Sequence, residues 1–158
     1  MGNNMDIAGI KNIMCEIPMF DNIKQSDVTV LASKLEHRRY PANAMIAKEG
    51  SPGDSVLFIT RGKVEIRKES LDGKYSVLAQ HGKGKSVGEM ALVRGEATPR
   101  GASIVAIEPT EALFLSRNNF EILIEKNPSI VIQILRNIAS TISDRLDHLG
   151  SRYADNQR

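Results

Sequence analysis

Apolar residues near the start of the chain recur every three or four positions, which is the spacing of one face of an α-helix. This pattern predicts an amphipathic helix over residues 5–16, and Pro18 ends it because proline cannot continue the backbone hydrogen bonding. The residues that follow the helical spacing are Ile7, Ile10, Ile13 and Met14. Ser26 and Asp27 then provide an N-cap signal for a second helix that ends near residue 35.

The period of the pattern changes between residues 37 and 116, where short runs rich in valine, isoleucine, tyrosine and phenylalanine alternate with turn residues. The predicted strands are residues 45–47, 55–60, 63–67, 75–79, 102–107 and 112–115. Parallel strands need helical crossovers, and no helical pattern lies between these runs. The sequence therefore predicts an antiparallel roll or barrel, in a mainly β member of the α+β class.

After Ser116 the helical period returns and predicts a pair of helices at the C-terminal end. Ser116 is placed to cap a helix over residues 118–126. Pro128 suits the first position of a longer helix over residues 129–149. Gly150 is expected to end this helix, and the polar residues that follow are expected to fray.

The longer C-terminal helix carries one apolar stripe with a repeat of three or four residues. Its members are Ile130, Ile134, Ile138, Ile142, Leu146 and Leu149. Such a stripe packs on the core of its own domain, and its length also suits pairing with a second copy of the helix. Both uses are expected, so residues 129–149 are the predicted surface of a homodimer.

Length and composition fit one globular domain. The chain has 158 residues, a size at which one domain buries a substantial core. Its predicted parts are N-terminal helices over residues 1–36, a β-roll over 37–116, C-terminal helices over 117–150 and a tail over 151–158. The net charge of +2 comes from scattered lysines and arginines, so the concentrated basic face of a nucleic-acid-binding protein is not predicted.

Sequence features predict a cytoplasmic protein that does not enter a membrane. The longest apolar runs, such as residues 130–134, are far too short to cross a bilayer. Residues 1–6 lack the basic start and the apolar block of a signal peptide. Cys15 is the single cysteine, which fits a reducing compartment, and it is expected to be a small buried apolar residue.

The stretch over residues 88–103, which reads GEMALVRGEATPRGAS, carries the candidate chemistry. Gly88 lets the backbone approach a ligand closely because it has no Cβ. Residues 90–92 tolerate a helix, so their free amide groups are expected to point at an anion. Arg100 would donate two parallel hydrogen bonds to phosphate oxygens. The Glu89 carboxylate only accepts hydrogen bonds, which suits a sugar hydroxyl.

This stretch resembles the phosphate-binding cassette of the cyclic nucleotide-binding domain family, which includes catabolite activators, protein kinase A regulatory subunits and cyclic nucleotide-gated channels. The matching residues are Gly88, Glu89, Ala91, Leu92, Arg100, Ala102 and Ser103. The resemblance implies an eight-stranded antiparallel β-roll that binds cyclic AMP or cyclic GMP. It also implies that Glu89 holds the ribose 2′-hydroxyl, while the phosphate docks on Arg100 and on amides near Ala91 and Gly101.

The interior of the roll and the last helix are expected to complete the ligand pocket. The predicted ligand-binding residues are Gly88, Glu89, Met90, Ala91, Arg100, Gly101 and Ala102, and further predicted pocket residues are Ile66, Leu78, Ser103 and Arg145. In several family members a residue of the last helix lies over the purine base, and the guanidinium of Arg145 would stack there. Arg145 as a surface arginine is an equally good interpretation, and both stay open.

Two departures from the family pattern bear on the choice of nucleotide. Members that prefer cyclic GMP often place threonine or serine directly after the cassette arginine, whereas this chain has Gly101. Cyclic AMP is therefore favoured over cyclic GMP. The loop over residues 93–99 is longer than in many members, and with Arg94 it leaves room for another nucleotide such as a cyclic dinucleotide.

The sequence predicts a sensor and not an enzyme. His37, His81 and His148 are not spaced with acidic residues or cysteine as a metal site or a catalytic triad requires. A nucleotide that one acid and one arginine hold, with no activated nucleophile, is bound and not transformed, so neither a metal nor a cofactor is expected. Signalling is expected to run through movement of the C-terminal helices over the bound nucleotide.

Two alternatives to a stand-alone sensor stay open. One is the sensor part of a larger channel, kinase regulator or transcription factor, and the other is a scaffold of the same fold that binds no nucleotide. Direct DNA binding is not expected, because only residues 151–158 follow the last predicted helix and a helix-turn-helix needs more. A protein partner is expected, but the sequence does not identify it.

Overall fold

The computed structural model describes residues 5–94 and 96–157. The helices are α1 (Ile7–Met14), α2 (Gln25–Ala32), α3 (Met90–Val93), α4 (Arg117–Lys126) and α5 (Pro128–Asn156), and a short 3-10 turn covers Pro18–Phe20. The strands are β1 (Leu35–Tyr40), β2 (Met45–Ala47), β3 (Ser55–Arg61), β4 (Lys63–Glu69), β5 (Tyr75–Gly82), β6 (Ser86–Val87), β7 (Ser103–Ala106) and β8 (Thr110–Ser116).

The eight strands of the described residues form two antiparallel sheets of four strands each. The first sheet has the order β1-β8-β3-β6, and the second has the order β2-β7-β4-β5. Helices precede the first strand and follow the last one. The predicted fold, an eight-stranded antiparallel roll between N-terminal and C-terminal helices, is confirmed.

Strand β3 lies inside the first sheet and is buried on both of its faces. Val56 and Phe58 join the core that the helices cover, whereas Leu57 and Ile59 join a second core shared by the two sheets. Burying one such side chain contributes about 1.5–3 kcal/mol to the free energy of folding, so this strand stabilises the centre of the roll. Strand β6, which leads into the cassette, pairs directly with it.

Strand β1 is missed by the sequence pattern, which places the end of a helix near Leu35 and begins the roll at residue 37. The strand begins at Leu35 and pairs along its length with β8, from Leu35 opposite Leu115 to Tyr40 opposite Thr110. Charged residues fill several of its exposed positions, which weakens the alternating apolar signal. Strand β6 is also missed, because two residues are too few to show a period.

Of the predicted helix starts, those at Ser116 and Pro128 are confirmed and the one at Ser26 is wrong. Ser116 caps α4, since its side chain accepts a hydrogen bond from the Asn119 N–H at 3.1 Å. Pro128 occupies the first turn of α5, as predicted. The predicted cap at Ser26 is wrong, because α2 begins one residue earlier at Gln25 and already contains it.

Helix α5 is 29 residues long and does not end at Gly150, so the predicted helix end is wrong. The helix continues to Asn156, and the residues predicted to fray are helical over that range. A glycine inside a helix costs only about 1 kcal/mol relative to alanine, so it does not by itself end a helix that its neighbours favour.

The predicted apolar stripe of α5 divides into two parts. Its first part is buried in the domain core, and the buried residues of the helix are Ile130, Val131, Ile134 and Ile138. Its second part is exposed, and these residues are Ile142, Leu146 and Leu149. The domain therefore covers only the first half of the stripe.

Cys15 is exposed, so the prediction that it is buried is wrong. It follows the last turn of α1, whose buried residues are Ile10 and Met14, and its Sγ lies 3.6 Å from the Lys11 carbonyl oxygen. Its position after the helix turns it away from the core. Within residues 5–94 and 96–157, no helix combines the length and the apolar character of a membrane span.

Candidate functional site

A cavity of about 390 Å³ lies between the cassette and the second sheet. Ligand pockets in proteins commonly enclose about 300–1,000 Å³, so its size suits a small molecule. The lining residues are Gly53, Ile66, Val87, Gly88, Met90, Ala91, Arg94, Thr98, Pro99, Arg100, Gly101, Ala102 and Ile104. The cavity thus brings together all the cassette residues that were first predicted to bind ligand except Glu89, and it also includes Ile66.

Arg100 supplies the half-buried cation of the cavity wall. Its Nη2 donates hydrogen bonds to the Ser55 carbonyl oxygen at 2.9 Å and to the Ser55 Oγ at 3.3 Å. Burial lowers the pKa of the Arg100 guanidinium, and the Asp54 charge opposes this effect. An arginine keeps its proton at physiological pH even so. No carboxylate of the described residues lies within 4.0 Å of it, so its charge is available to an anion.

Gly88 makes room for this guanidinium. Its φ is +85°, in the left-handed region that favours glycine, and a Cβ at this position would lie 2.8 Å from the Arg100 Nη1. The same Cβ would lie 3.2 Å from the Ser55 carbonyl oxygen. Any side chain at residue 88 would therefore push the arginine out of its position.

Backbone hydrogen bonds hold the chain around Arg100 against the turn before β3. The Arg100 N–H donates to the Ser51 carbonyl at 2.8 Å, and the Gly50 N–H donates to the Arg100 carbonyl at 2.8 Å. The Gly53 N–H donates to the Thr98 carbonyl at 2.8 Å. Two segments about fifty residues apart in sequence thus fix the position of one side chain, which is how a site is pre-organised.

Glu89 joins the cassette to the last helix. Its Oε1 accepts a hydrogen bond from the Ser86 Oγ at 2.7 Å and lies 3.5 Å from the Arg145 Nη2. The Glu89 side chain is 15% exposed and that of Arg145 is 44% exposed, so the carboxylate is mostly buried and the guanidinium is partly open to solvent. The structure therefore brings Arg145 to the carboxylate that was predicted to hold the ribose.

One expected contact with an anion, that of the Ala91 amide, is not free in the backbone geometry. The Ala91 N–H, predicted to point at the phosphate, donates to the Gly88 carbonyl at 3.0 Å. This bond belongs to the first turn of α3, which has only four residues. A phosphate that used the Ala91 amide would have to share it with this bond.

Leu78 and Ser103 do not line the cavity. A bulge in the pairing of β4 with β5 places Ile66 opposite Ala79 and Arg67 opposite Val77, and leaves Leu78 without a partner. The Leu78 side chain is 59% exposed, and most residues of this edge strand are exposed as well. The Ser103 Oγ accepts a hydrogen bond from the Glu49 N–H at 2.9 Å, which ties two loops together.

Several lining residues were not predicted. They are Gly53, Val87, Thr98, Pro99 and Ile104, and Arg94 was noted only for its loop. Gly53 belongs to the turn Gly50-Ser-Pro-Gly-Asp54, which was visible in the sequence as a turn and not as part of a site. Val87 and Ile104 lie in strands, and nothing in a strand pattern tells which of its residues face a cavity.

His81, on β5, interacts electrostatically with Arg145, Glu89 and Lys85. Burial lowers its pKa below the ordinary value of 6.5, and the charges of Arg145 and Lys85 lower it further. The Glu89 carboxylate raises it in part. The protonation of His81 therefore responds to the charge of Arg145 on the last helix.

The histidines belong to no metal-binding cluster in the described residues. No group of three histidine, cysteine, aspartate or glutamate side chains is placed to hold a metal ion there. His37 is buried beside Glu111, with 3.3 Å between its Nε2 and the Glu111 Oε1.

Comparison with known proteins finds relatives whose sequences match over much of this chain. The chain is 33% identical over 130 residues to the cyclic AMP receptor protein of Thermus thermophilus, which covers 82% of this chain and 57% of that protein. It is 30% identical over 109 residues to the cAMP-dependent protein kinase regulatory subunit of Aspergillus fumigatus, which covers 69% of this chain and 25% of that subunit. The chain thus spans little more than half of one relative and a quarter of the other.

A solved structure has the same fold. The crystal structure of a cyclic nucleotide-binding domain from Methylobacillus flagellatus matches with a TM-score of 0.76 at 27% identity, over 92% of this chain and 81% of that chain. The family model described as cyclic nucleotide-binding domain matches residues 37–127, which include the whole cassette. Since this match covers more than half of its 158 residues, the chain belongs to the cyclic nucleotide-binding domain family.

Proposed function

We propose that this protein is a regulatory sensor module that binds a cyclic nucleotide monophosphate and does not transform it. The observation that carries the proposal is the Arg100 guanidinium, which Gly88 accommodates at the cavity wall without a carboxylate partner among the described residues. A half-buried cation that backbone bonds hold in place suits one phosphodiester. The cytoplasmic location predicted from the sequence is part of the same proposal.

The remaining parts of the ligand have acceptors and surfaces in the same cavity. The Glu89 carboxylate is the proposed acceptor for the ribose 2′-hydroxyl: Glu89 does not itself line the cavity, but both of its chain neighbours, Gly88 and Met90, do. Ile66, Val87 and Ile104 offer an apolar wall to the sugar and the base. Apolar walls with a few placed polar groups are typical of small-molecule sites.

Cyclic AMP is the proposed ligand in preference to cyclic GMP. Gly101, directly after the arginine, lines the cavity and has no hydroxyl that would meet a guanine amino group. The names of the Thermus and Aspergillus relatives also refer to cyclic AMP.

We propose that the signal passes through the contact between Glu89 and Arg145. The ribose hydroxyl and the Arg145 guanidinium need the same carboxylate, so a bound nucleotide weakens the hold of the cassette on α5. A ligand shifts a conformational equilibrium only through contacts that differ between the two states, and this contact is one of them. Movement of the C-terminal helices is the proposed output.

The exposed face of α5 supports a homodimer as the proposed assembly. Apolar side chains recur along it with alternating spacings of three and four residues: Ile132, Leu135, Ala139, Ile142, Leu146, Leu149 and Tyr153. This is the spacing of the seam of a coiled coil. None of these side chains belongs to the domain core, so a second copy of the helix is the proposed occupant of the seam. Arg145 directly precedes Leu146, which links the nucleotide site to this surface.

Titration of the purified protein with cyclic AMP, cyclic GMP and 5′-AMP tests the proposal. Thermal unfolding and calorimetry should show that the two cyclic nucleotides stabilise the protein, with cyclic AMP binding more tightly. A ligand present at a hundred times its dissociation constant adds about 2.7 kcal/mol to the free energy of unfolding. Because 5′-AMP lacks the cyclic phosphodiester, it should bind weakly. If neither cyclic nucleotide raises the unfolding temperature, a scaffold that binds no nucleotide is favoured. A protein partner would then have to be sought in the absence of nucleotide.

A further inference from the structure

Two arginines line the cavity, and no aspartate or glutamate of the described residues lines it with them. Arg100 is half-buried and held by Ser55, whereas Arg94 is exposed. The Arg94 N–H donates to the Met90 carbonyl at 3.2 Å and ends α3, which places its side chain at the rim. Within the described residues, Arg94 has no ion pair with a carboxylate. The cavity therefore presents two positive charges that form no ion pair with a carboxylate of the described residues.

A cyclic mononucleotide neutralises only one of these charges. Its single phosphodiester carries one negative charge, and the proposed position of that charge is at Arg100. Arg94 then remains as a cation at the open side of the same cavity. A pocket with an unmatched charge selects a ligand that supplies the missing opposite charge over one that does not, because potentials across a binding surface are complementary in sign.

We infer that Arg94 forms a second anion subsite, and that the cavity takes a nucleotide with two phosphodiester groups, which is the chemistry of a cyclic dinucleotide. The inference rests on the proposed function, because it assigns the first phosphodiester to Arg100. The second phosphodiester lies at the rim, where Arg94 donates hydrogen bonds to its oxygens.

The rim has space for the second half of such a ligand. Met90, Pro99 and Gly101 are exposed around the cavity mouth. A Cβ at Gly101 would meet no atom within 4 Å, so the wall beside Arg100 is open. A dinucleotide can therefore place one nucleotide inside the cavity and the other over the rim beside Arg94.

Calorimetry with cyclic AMP, cyclic di-AMP and cyclic di-GMP tests the inference on the full chain and on two variants. Arg94→Gln removes the rim charge. Arg61→Gln is the matched control, since Arg61 is an exposed arginine at the opposite end of β3 from Ser55 and does not line the cavity. We expect Arg94→Gln to weaken at least one cyclic dinucleotide about tenfold and cyclic AMP less than about twofold, as loss of a single charge-assisted contact predicts. Arg61→Gln should change neither affinity.

The outcomes separate this inference from the proposed function. If cyclic AMP binds and neither dinucleotide does, the second subsite is rejected and the proposed function stands. If Arg94→Gln weakens cyclic AMP as much as the dinucleotide, Arg94 serves the first phosphate and the inference is wrong. If inorganic phosphate alone produces an Arg94-dependent signal as strong as the dinucleotide, the subsite binds free anions and the dinucleotide assignment is overturned. If no nucleotide binds, the proposed function itself fails.

Discussion

Arg145 Nη2 lies 3.5 Å from Glu89 Oε1, so the last helix directly contacts the cassette carboxylate. The carboxylate also accepts a hydrogen bond from the Ser86 hydroxyl, at the end of the strand that pairs with the centre of the roll. One acidic side chain therefore connects the roll, the cassette and α5. The proposed mechanism therefore predicts that a ligand that takes this acceptor changes the position of the helix.

Replacing Arg145 tests this competition. Arg145→Ala should raise the affinity for cyclic AMP by about two- to fivefold, because a partly exposed ion pair contributes about 0.2–1 kcal/mol that the ligand no longer has to displace. Calorimetry measures the change. Arg152→Ala is the control, since it removes the same side chain one heptad further along α5 and should leave the affinity unchanged. A drop in affinity with Arg145→Ala would instead support the predicted stacking of the guanidinium on the purine.

Replacing Arg100 tests the phosphate contact. Arg100→Ala should weaken cyclic nucleotide binding by about tenfold to a hundredfold, since a hydrogen bond to a charged group contributes about 1.5–3 kcal/mol. Arg100→Lys keeps the charge but not the planar pair of donors, so its affinity should fall between wild type and alanine. Isothermal titration calorimetry distinguishes the three proteins. Equal affinities would remove Arg100 from the site.

Gly88 offers a test that needs no change in charge. Gly88→Ala should lower both the free energy of unfolding and the nucleotide affinity, because its φ is +85° and the new Cβ would displace the Arg100 guanidinium. A left-handed non-glycine residue costs about 1–2 kcal/mol before any clash. Chemical denaturation and calorimetry measure the two effects.

Gly73→Ala is the matched control for Gly88→Ala. Its φ is +81°, yet a Cβ there would meet nothing within 4 Å, so it shows the backbone strain without the clash. We expect Gly73→Ala to cost stability and to leave nucleotide affinity intact. Equal losses of stability and affinity in both variants would contradict a specific role for Gly88.

The exposed seam of α5 predicts a dimer at micromolar concentration. Leu146→Glu should produce monomers, because Leu146 is 63% exposed within one copy and a buried glutamate at the seam would be unpaired. The monomer should remain folded, since the last core residue of the helix is Ile138. Sedimentation velocity measures the assembly, with Ser140→Glu on the same helix as a control that stays dimeric. A monomeric wild-type protein would refute the seam.

The pKa of His81 gives a pH-dependent measure of the charges around Glu89 and Arg145. Because burial and the Arg145 and Lys85 charges hold its pKa below 6.5, against the Glu89 carboxylate, the folded state favours neutral His81. The unfolded state binds the proton first as pH falls, so this stability is complete above pH 6.5 and is lost as pH falls through the folded pKa. His81→Gln should remove that part of the pH dependence of unfolding.

The NMR titration of His81 checks the cause. Arg145→Ala should raise the His81 pKa towards its ordinary value, because one of the charges that lowers it is gone. Cyclic AMP should raise it as well if the nucleotide displaces Arg145 from Glu89. If neither Arg145→Ala nor cyclic AMP alters the His81 pKa, Arg145 does not lie beside Glu89 and His81 in solution.

Local signals in the sequence were enough for most of the elements, though not for β1 and β6, and for the cassette. Some signals act within a few residues, so they can be recognised without the tertiary structure. They are the change from helical to strand period near residue 37, the Ser116 cap and Pro128 at the start of α5. The cassette is contiguous, so its glycine, acid and arginine could be recognised by order alone. The fold class follows from the same short-range evidence.

The tertiary structure alone decided which surfaces meet. Leu35 pairs with Leu115, eighty residues further along, and such a partner cannot be inferred from the charged sequence of β1. The exposure of Leu78 on an edge strand and the contact of Arg145 with Glu89 likewise depend on distant segments. Half of the α5 stripe is covered by the domain and half is not, although the two halves have the same pattern. Periodicity shows that a face is apolar, and only the packing of remote parts of the chain determines what, if anything, covers it.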